Sequence, residues 1–338
     1  MNLSFSFIIP VFNRPNEVHE LLESLIFQTY TKDFEIVIVE DGSSVPSNEV
    51  INQFKDQLNI SYYQKPNSGP GDSRNYGMRM AQGNYFIVLD SDCILPPQYL
   101  EEAERSLYEE FVHCYGGPDA AHASFSDVQK AINYAMTSFL TTGGIRGRKG
   151  SIDKFQPRSF NMGISKEAFE KTGGYGNIHP GEDPDLTIRI WDKGYDTKLI
   201  PNALVYHKRR IDWNKFYIQV KKFGMVRPIL NVWHPKTAKL TYWFPTLFCI
   251  GFLVSLGFVF WDFWLPSTLY ILYFLALFLD AIVKTGNIKV SLMALFATMV
   301  QFTGYGFGFL KSTIYTTFSN KSPETLFPEL FFKTNERP

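Results

Sequence analysis

Residues 243–261, WFPTLFCIGFLVSLGFVFW, contain no Asp, Glu, Lys or Arg, and neither do residues 263–279 or 290–310. A bilayer core about 30 Å thick takes about 20 apolar residues of helix, and these runs approach that length. Helices in a soluble core keep a polar face, which these runs almost wholly lack. The pattern therefore predicts an α-helical membrane segment of about three spans over 243–312, followed by a tail, 313–338. The third run contains TGYGFGF, 303–309, whose glycines predict a break or a re-entrant turn.

The flanking charges predict orientation. Residues 208–239 carry nine Lys or Arg against one acid, Asp212. Lys284 and Lys289 lie between the second and third runs, and only Asp262 between the first and second. The positive-inside rule then puts the N-terminal domain and the second-to-third loop in the cytoplasm, in a multi-pass protein of the inner cell membrane. Trp213, Phe216, Tyr217 and Phe223 interleave with the basic residues, so 208–242 reads as an amphipathic segment suited to an anionic membrane surface. The formal net charge is zero, and no global field favours nucleic acid as a partner. Phe5 to Val11 is too short for a secretory core and is interrupted by Pro10. Cys93, Cys114 and Cys249 have no metal-ligand spacing and are expected to pack as small apolar residues.

Residues 1–207 follow another rule. Apolar runs at 5–11, 35–39, 60–63 and 85–89 read as short strands, separated by helical patterns near 15–28, 46–58 and 72–82. Pro15 suits a first helical turn, and Asp72 an N-cap after Gly69-Pro70-Gly71. Such alternation predicts an α/β, Rossmann-like sheet, with ligands beyond the carboxyl ends of its strands. Those ends run into PVFNR (10–14), EDGSS (40–44), PNSGPGDSRN (66–75) and DSD (90–92). Neither a G-x-G-x-x-G dinucleotide turn nor a G-x-x-x-x-G-K-[ST] phosphate loop is present. The edge is acidic, which points to a divalent cation neutralising phosphates.

Asp90 and Asp92 sharpen that expectation. Side chains two apart on an extended chain share a face, and two close carboxylates repel unless a cation or donors lie between them. Oxygen ligands of this kind suit Mg²⁺ or Mn²⁺. The alternative is a turn that merely uses Asp and Ser.

Taken in order, FIIPVFNR, EIVIVEDGSS, NSGPGDSRNYGMRMAQGNYFIVLDSD, FNMGISKEAFEKTGGY, GEDPDLTIRIWDKGY and VYHKRR resemble the family 2 glycosyltransferases over residues 4–225. The resemblance implies the GT-A fold and a metal-dependent, inverting transfer from a nucleoside-diphosphate sugar to a hydroxyl acceptor, with uridine the favoured base. It places Pro10, Phe12, Asn13, Arg14, Asp41, Gly71, Arg74, Asn75, Asp90, Ser91 and Asn161 around the donor. Asp41 would accept a hydrogen bond from the base, and Glu40 stands where the family often has Asp. Asp92 would hold the metal, with His207 completing the site. Asp183 would be the general base and Glu182 its helper; the plainer reading of 182–185 is a helix start complementing its dipole.

Processive members carry Q-x-x-R-W ahead of their membrane helices, whereas QVKKF (219–223) has Lys222 and Phe223 at those places. The expectation is therefore a single transfer, to a lipid-linked or cell-envelope glycan acceptor, with a processive synthase as the runner-up. A nucleotidyltransferase would want G-x-G-T-R after the first strand, and a non-catalytic scaffold would be expected to have lost these carboxylates.

Overall fold

The computed structural model describes residues 2–120, 125–143, 154–208 and 212–332. By internal packing the chain forms two compact units. The first holds the described residues up to 120, then 154–208, and finally 331 and 332; the second holds 125–143 and 212–330.

The first unit begins as the apolar runs foretell. β1 (Phe5–Val11), α1 (Pro15–Ile26), β2 (Glu35–Asp41), α2 (Asn48–Asn52), β3 (Ile60–Lys65), α3 (Pro70–Met80) and β4 (Tyr85–Leu89) alternate. β3, β2, β1 and β4 lie side by side and parallel. Ile8, Ile9, Ile36, Ile38 and Ile87 are fully buried, each contributing roughly 1.5–3 kcal/mol by leaving water. Two boundaries differ from the sequence reading. α2 is shorter than 46–58, and α3 starts at Pro70 behind Gly69 rather than behind Asp72. Gly69 sits at φ +94°, a backbone region only glycine enters freely, and Pro70 presets the first helical turn. Asp72 is thus inside the helix, where its carboxylate accepts from Ser68 Oγ at 2.5 Å.

The chain then adds β5 (Cys93–Ile94), α4 (Tyr99–Glu109), β6 (Cys114–Gly116) and β7 (Asp119–Ala120). α5 (Asp127–Thr137) and α6 (Phe139–Thr142) belong to the second unit. β8 (Asn161–Ser165), α7 (Lys166–Thr172), α8 (Glu182–Asp192), β9 (Thr197–Leu199) and β10 (Val205–His207) complete the first. β8 runs antiparallel between β4 and β6, so the seven-stranded sheet, ordered β3-β2-β1-β4-β8-β6-β9, is mixed. β5, β10 and β7 form a separate three-stranded sheet, in which His207 is paired directly opposite Cys93. That pairing brings the far end of the unit back to the Asp90–Asp92 turn.

The second unit is helical: α5 and α6 are joined by α9 (Trp213–Trp233), α10 (Phe244–Val259), α11 (Leu265–Thr285) and α12 (Ile288–Phe318). Leu240–Val259, Leu265–Thr285 and Ile288–Phe318 are long and apolar enough to cross a membrane. The glycines of TGYGFGF do not break α12, which stays helical over 31 residues. They serve close packing. A Cβ on Gly308 would lie 3.1 Å from Met225 N, and one on Gly224 would lie 2.9 Å from Phe309 N, so the backbones of α9 and α12 touch. α9 is also more enclosed than an amphipathic surface helix. Phe216 and Val220 are buried among Ile132, Ala135, Met136 and Ala297, and Trp213 meets Phe296 edge-on at 5.0 Å.

Candidate active site

The turn after β4 carries Asp90, Ser91 and Asp92, with Ser91 buried. The strand has already ended, so the shared facing of the two aspartates comes from the turn rather than from strand alternation. The backbone fixes it: Cys93 N–H donates to Asp90 O at 3.2 Å, and Lys208 N–H to Asp92 O at 3.1 Å. His207 Nε2 lies 3.2 Å from Asp92 Oδ1 and 3.9 Å from Asp90 Oδ2. Its ring stacks on Phe160, with centroids 4.8 Å apart. Arg14, from the end of β1, donates to Asp92 Oδ2. Burial opposes ionisation of Asp92, yet His207 and Arg14 outweigh it and hold the carboxyl well below the usual range.

A second pair of acids stands at the start of α8. Gly181, at φ +123°, caps the helix without a side-chain bond, so Glu182 and Asp183 are not its caps. Glu182 Oε1 accepts from Arg74 Nη1 at 3.1 Å and faces His179 Nδ1 at 2.8 Å. Burial pushes the Glu182 carboxyl up, but His179 and Arg74 override it and bring it to about 2. Asp183 goes the other way. Burial and the neighbouring Glu182 charge raise it to about 6, against the pull of Arg74 and Arg158. Its Oδ1 is buried without a hydrogen-bond partner. Adjacent carboxylates with affinities driven apart are a mark of acid–base chemistry. Asp185, third in the cluster, instead pairs with Arg189 at 2.7 Å, and Arg189 also reaches Thr172 O and Gly174 O.

Arg74 joins the two pairs. Its Nη2 donates to Asp90 Oδ1 at 2.8 Å, its Nη1 to Glu182, and its guanidinium lies 5.3 Å from the Tyr175 ring centre. The guanidinium is almost fully buried and held well above its ordinary pKa: burial works against the charge, but Asp90 and Glu182 prevail. Arg14, Asp92, His207, Asp90, Arg74 and Glu182 therefore form one connected array, with Asp183 next to Glu182 on α8.

Other residues expected around a donor are engaged in the framework. Asp41 accepts from Lys65 Nζ at 2.6 Å and from the N–H groups of Ser68 and Gly69 at 2.9 Å each. Glu40 reaches Ser47 N–H and the Tyr62 hydroxyl at 2.9 and 3.0 Å, and this reach is what the longer acid provides. Asn13, in a left-handed conformation, accepts from Ser44 and Val45 and ties the β1 and β2 loops together. Asn75 exchanges two 2.8 Å bonds with the Tyr175 backbone. Asn161 accepts from Tyr99 at 2.6 Å and donates to Ala203 O at 2.7 Å. Pro10 lies in β1 opposite Val39, and Gly71 packs tightly, since a Cβ there would fall 2.7 Å from Gly176 O. Phe12 is half exposed. His179 and Tyr175 were missed by sequence reasoning. The one cue for His179 was its place three residues before Glu182.

Asp92, His207 and Cys93 offer ligand atoms within 4.8 Å of one another. Cys93 Sγ donates to Phe160 O at 3.4 Å, which directs it to the backbone. The remaining donor set, carboxylate oxygens and one imidazole, fits a hard or borderline divalent ion.

A mixed sheet of this order, with acidic turns at the carboxyl ends of β2 and β4, defines the GT-A class of nucleotide-sugar transferase folds. The sequence profile of glycosyl transferase family 2 matches residues 6–173, and that stretch is a domain of the family. An uncharacterised glycosyltransferase of Rickettsia felis is 45% identical over 87 residues, 26% of this chain and 14% of that protein. The probable glycosyltransferase YdaM of Bacillus subtilis is 25% identical over 224 residues, 63% of this chain and 53% of its own. The matched part thus spans about half of the second relative and far less of the first. Among solved structures, the mannosyltransferase PcManGT of Pyrobaculum calidifontis, in complex with GDP-Man and Mn²⁺, is similar in fold. Its TM-score is 0.58 at 14% identity, over 94% of this chain and 88% of that one.

Proposed function

We propose that the protein is a membrane-anchored, metal-dependent inverting glycosyltransferase. It would move a sugar from a nucleoside diphosphate to a hydroxyl on a lipid-linked or cell-envelope glycan acceptor. The observation that carries this reading is the pair of acidic centres, Asp90 and Asp92 with His207, and Glu182 with Asp183, bridged by Arg74 between Asp90 and Glu182. Asp183, its affinity raised to about 6, is a base able to hold a proton near neutral pH. In the reaction, the acceptor oxygen bonds to the anomeric carbon as the bond from that carbon to the diphosphate oxygen breaks. The electron pair leaves with the diphosphate, and the hydroxyl proton passes to Asp183. Glu182, itself held by His179, stays ionised and anchors Arg74. Asp92 and His207 would hold the divalent cation, Mg²⁺ or Mn²⁺. When bound, that ion supplies positive charge to the diphosphate oxygens.

PcManGT, similar in fold, is a mannosyltransferase whose structure holds a nucleotide sugar and Mn²⁺, which supports both donor class and ion. The three long apolar helices and the basic residues before them support a cytoplasmic catalytic domain at the inner membrane. Lys222 and Phe223 support single transfer over processive synthesis. The test incubates membranes containing the protein with radiolabelled nucleotide sugars, with and without EDTA, and follows label into lipid and water-soluble fractions. EDTA-sensitive label in the lipid fraction is expected. No transfer from any donor overturns the reading, and equal labelling of soluble sugars overturns the acceptor assignment.

A further inference from the structure

The chain beyond α12 returns to the catalytic unit. Phe331 forms an antiparallel bridge with Ile178, and Phe332 N–H donates to Asn177 O at 3.0 Å. The Phe332 ring covers Gly69 so closely that a Cβ there would fall 2.8 Å from its Cδ1. Its centroid is 6.0 Å from that of His179. Gly69 gives its N–H to Asp41, and His179 faces Glu182 at 2.8 Å. One aromatic ring from the tail thus touches the loop below Asp41 and the partner of Glu182.

We infer that Phe332 is a positioning residue for donor binding, supplied by the tail. It holds the 66–71 loop against the 177–182 segment, so the nucleoside part of the donor meets a preformed wall. This rests on the donor reading above. The bridge also carries a topological consequence that does not. Ile178 precedes and Phe331 follows all three long apolar helices, so pairing requires an even number of membrane crossings between them. α12, with Ala294, Ala297, Phe302 and Phe309 buried, is the most enclosed of the three and is the helix that stays with the protein, leaving α10 and α11 as a crossing hairpin.

Two measurements test this on the full-length chain. First, Ile178→Cys with Phe331→Cys is oxidised in native membranes. Opposed residues of an antiparallel pair lie within disulfide reach, so an intramolecular cross-link is expected. Its absence, with the tail labelled from the opposite face of the membrane, overturns the docking. Second, UDP and GDP binding with Mn²⁺ is measured for wild type, Phe332→Ala and Phe332→Tyr. Loss of one aromatic contact should weaken the Ala variant by roughly 3- to 10-fold. The apo melting temperature should hold, and Tyr should restore binding. Unchanged or tighter binding by the Ala variant overturns the positioning role, as does an equal fall in apo stability. If wild type binds neither nucleotide while the cross-link forms, the donor reading falls and the role of Phe332 with it, and the tail docking stands.

Discussion

Replacing Asp183 with Asn removes a charge that the fold holds unwillingly. Its carboxyl sits at about 6 against an ordinary 3.8, because of burial and the charge of Glu182. The native state therefore binds the proton more tightly than the unfolded chain does. Stability falls as pH rises through this window, and the loss is complete above pH 6. The shift corresponds to at most about 3 kcal/mol at 1.36 kcal/mol per unit. Glu182 has the opposite sign: at about 2 against 4.5, its contribution is present above 4.5 and is lost as pH falls toward 2. Asp183→Asn should accordingly be more stable than wild type at pH 8, by up to about 3 kcal/mol, with the gain shrinking toward pH 4. Transfer should drop by about 10²- to 10⁴-fold, the usual worth of a general base. In wild type, log kcat should rise with unit slope toward about pH 6 and level off above it, and the residual activity of the Asn variant should lack that limb. Thermal unfolding at pH 5 and 8, beside a pH–rate profile, reads both effects. A variant no more stable at pH 8, or one with near-normal transfer, refutes the reasoning.

Arg74→Met should lower stability by roughly 3–5 kcal/mol, since Asp90 and Glu182 lose a buried common partner; a melting curve checks it. Asp41→Asn should cost about 1–3 kcal/mol by breaking the Lys65 pair and setting an amide against the Ser68 and Gly69 N–H groups. Amide hydrogen exchange of residues 67–69 should quicken in that variant. His207→Ala should raise the Mn²⁺ concentration needed for half-maximal transfer, and EDTA should abolish wild-type activity; metal-independent transfer would contradict both.

The sequence told most where an element makes its own case. β1, β2 and β4 are built around apolar runs and lie where those runs predict. β6 and β9 are three residues each, with no periodicity, and exist because β8 and β6 offer them partners. α3 moved by two residues because Gly69 and Pro70 together make a better start than Asp72. The same division runs through the site. The D-x-D turn and the Glu182-Asp183 pair are local patterns that a reader can see. Arg74 and Glu182 are 108 residues apart, and only the fold brings them together. Asn75 holds the Tyr175 backbone, and Asn161 holds the Tyr99 hydroxyl and Ala203 O, contacts that no local pattern announces.

Where Gly224 and Gly308 let α9 and α12 meet backbone to backbone, neither helix can slip lengthwise without driving a side chain into its neighbour. The cationic turn at Lys221 and Lys222 is thereby locked to one level of the longest apolar helix, with Lys221 resting 5.4 Å from the centre of the Phe307 ring. The seam works as a depth gauge, setting how far the charged turn stands from any greasy layer that α12 borders.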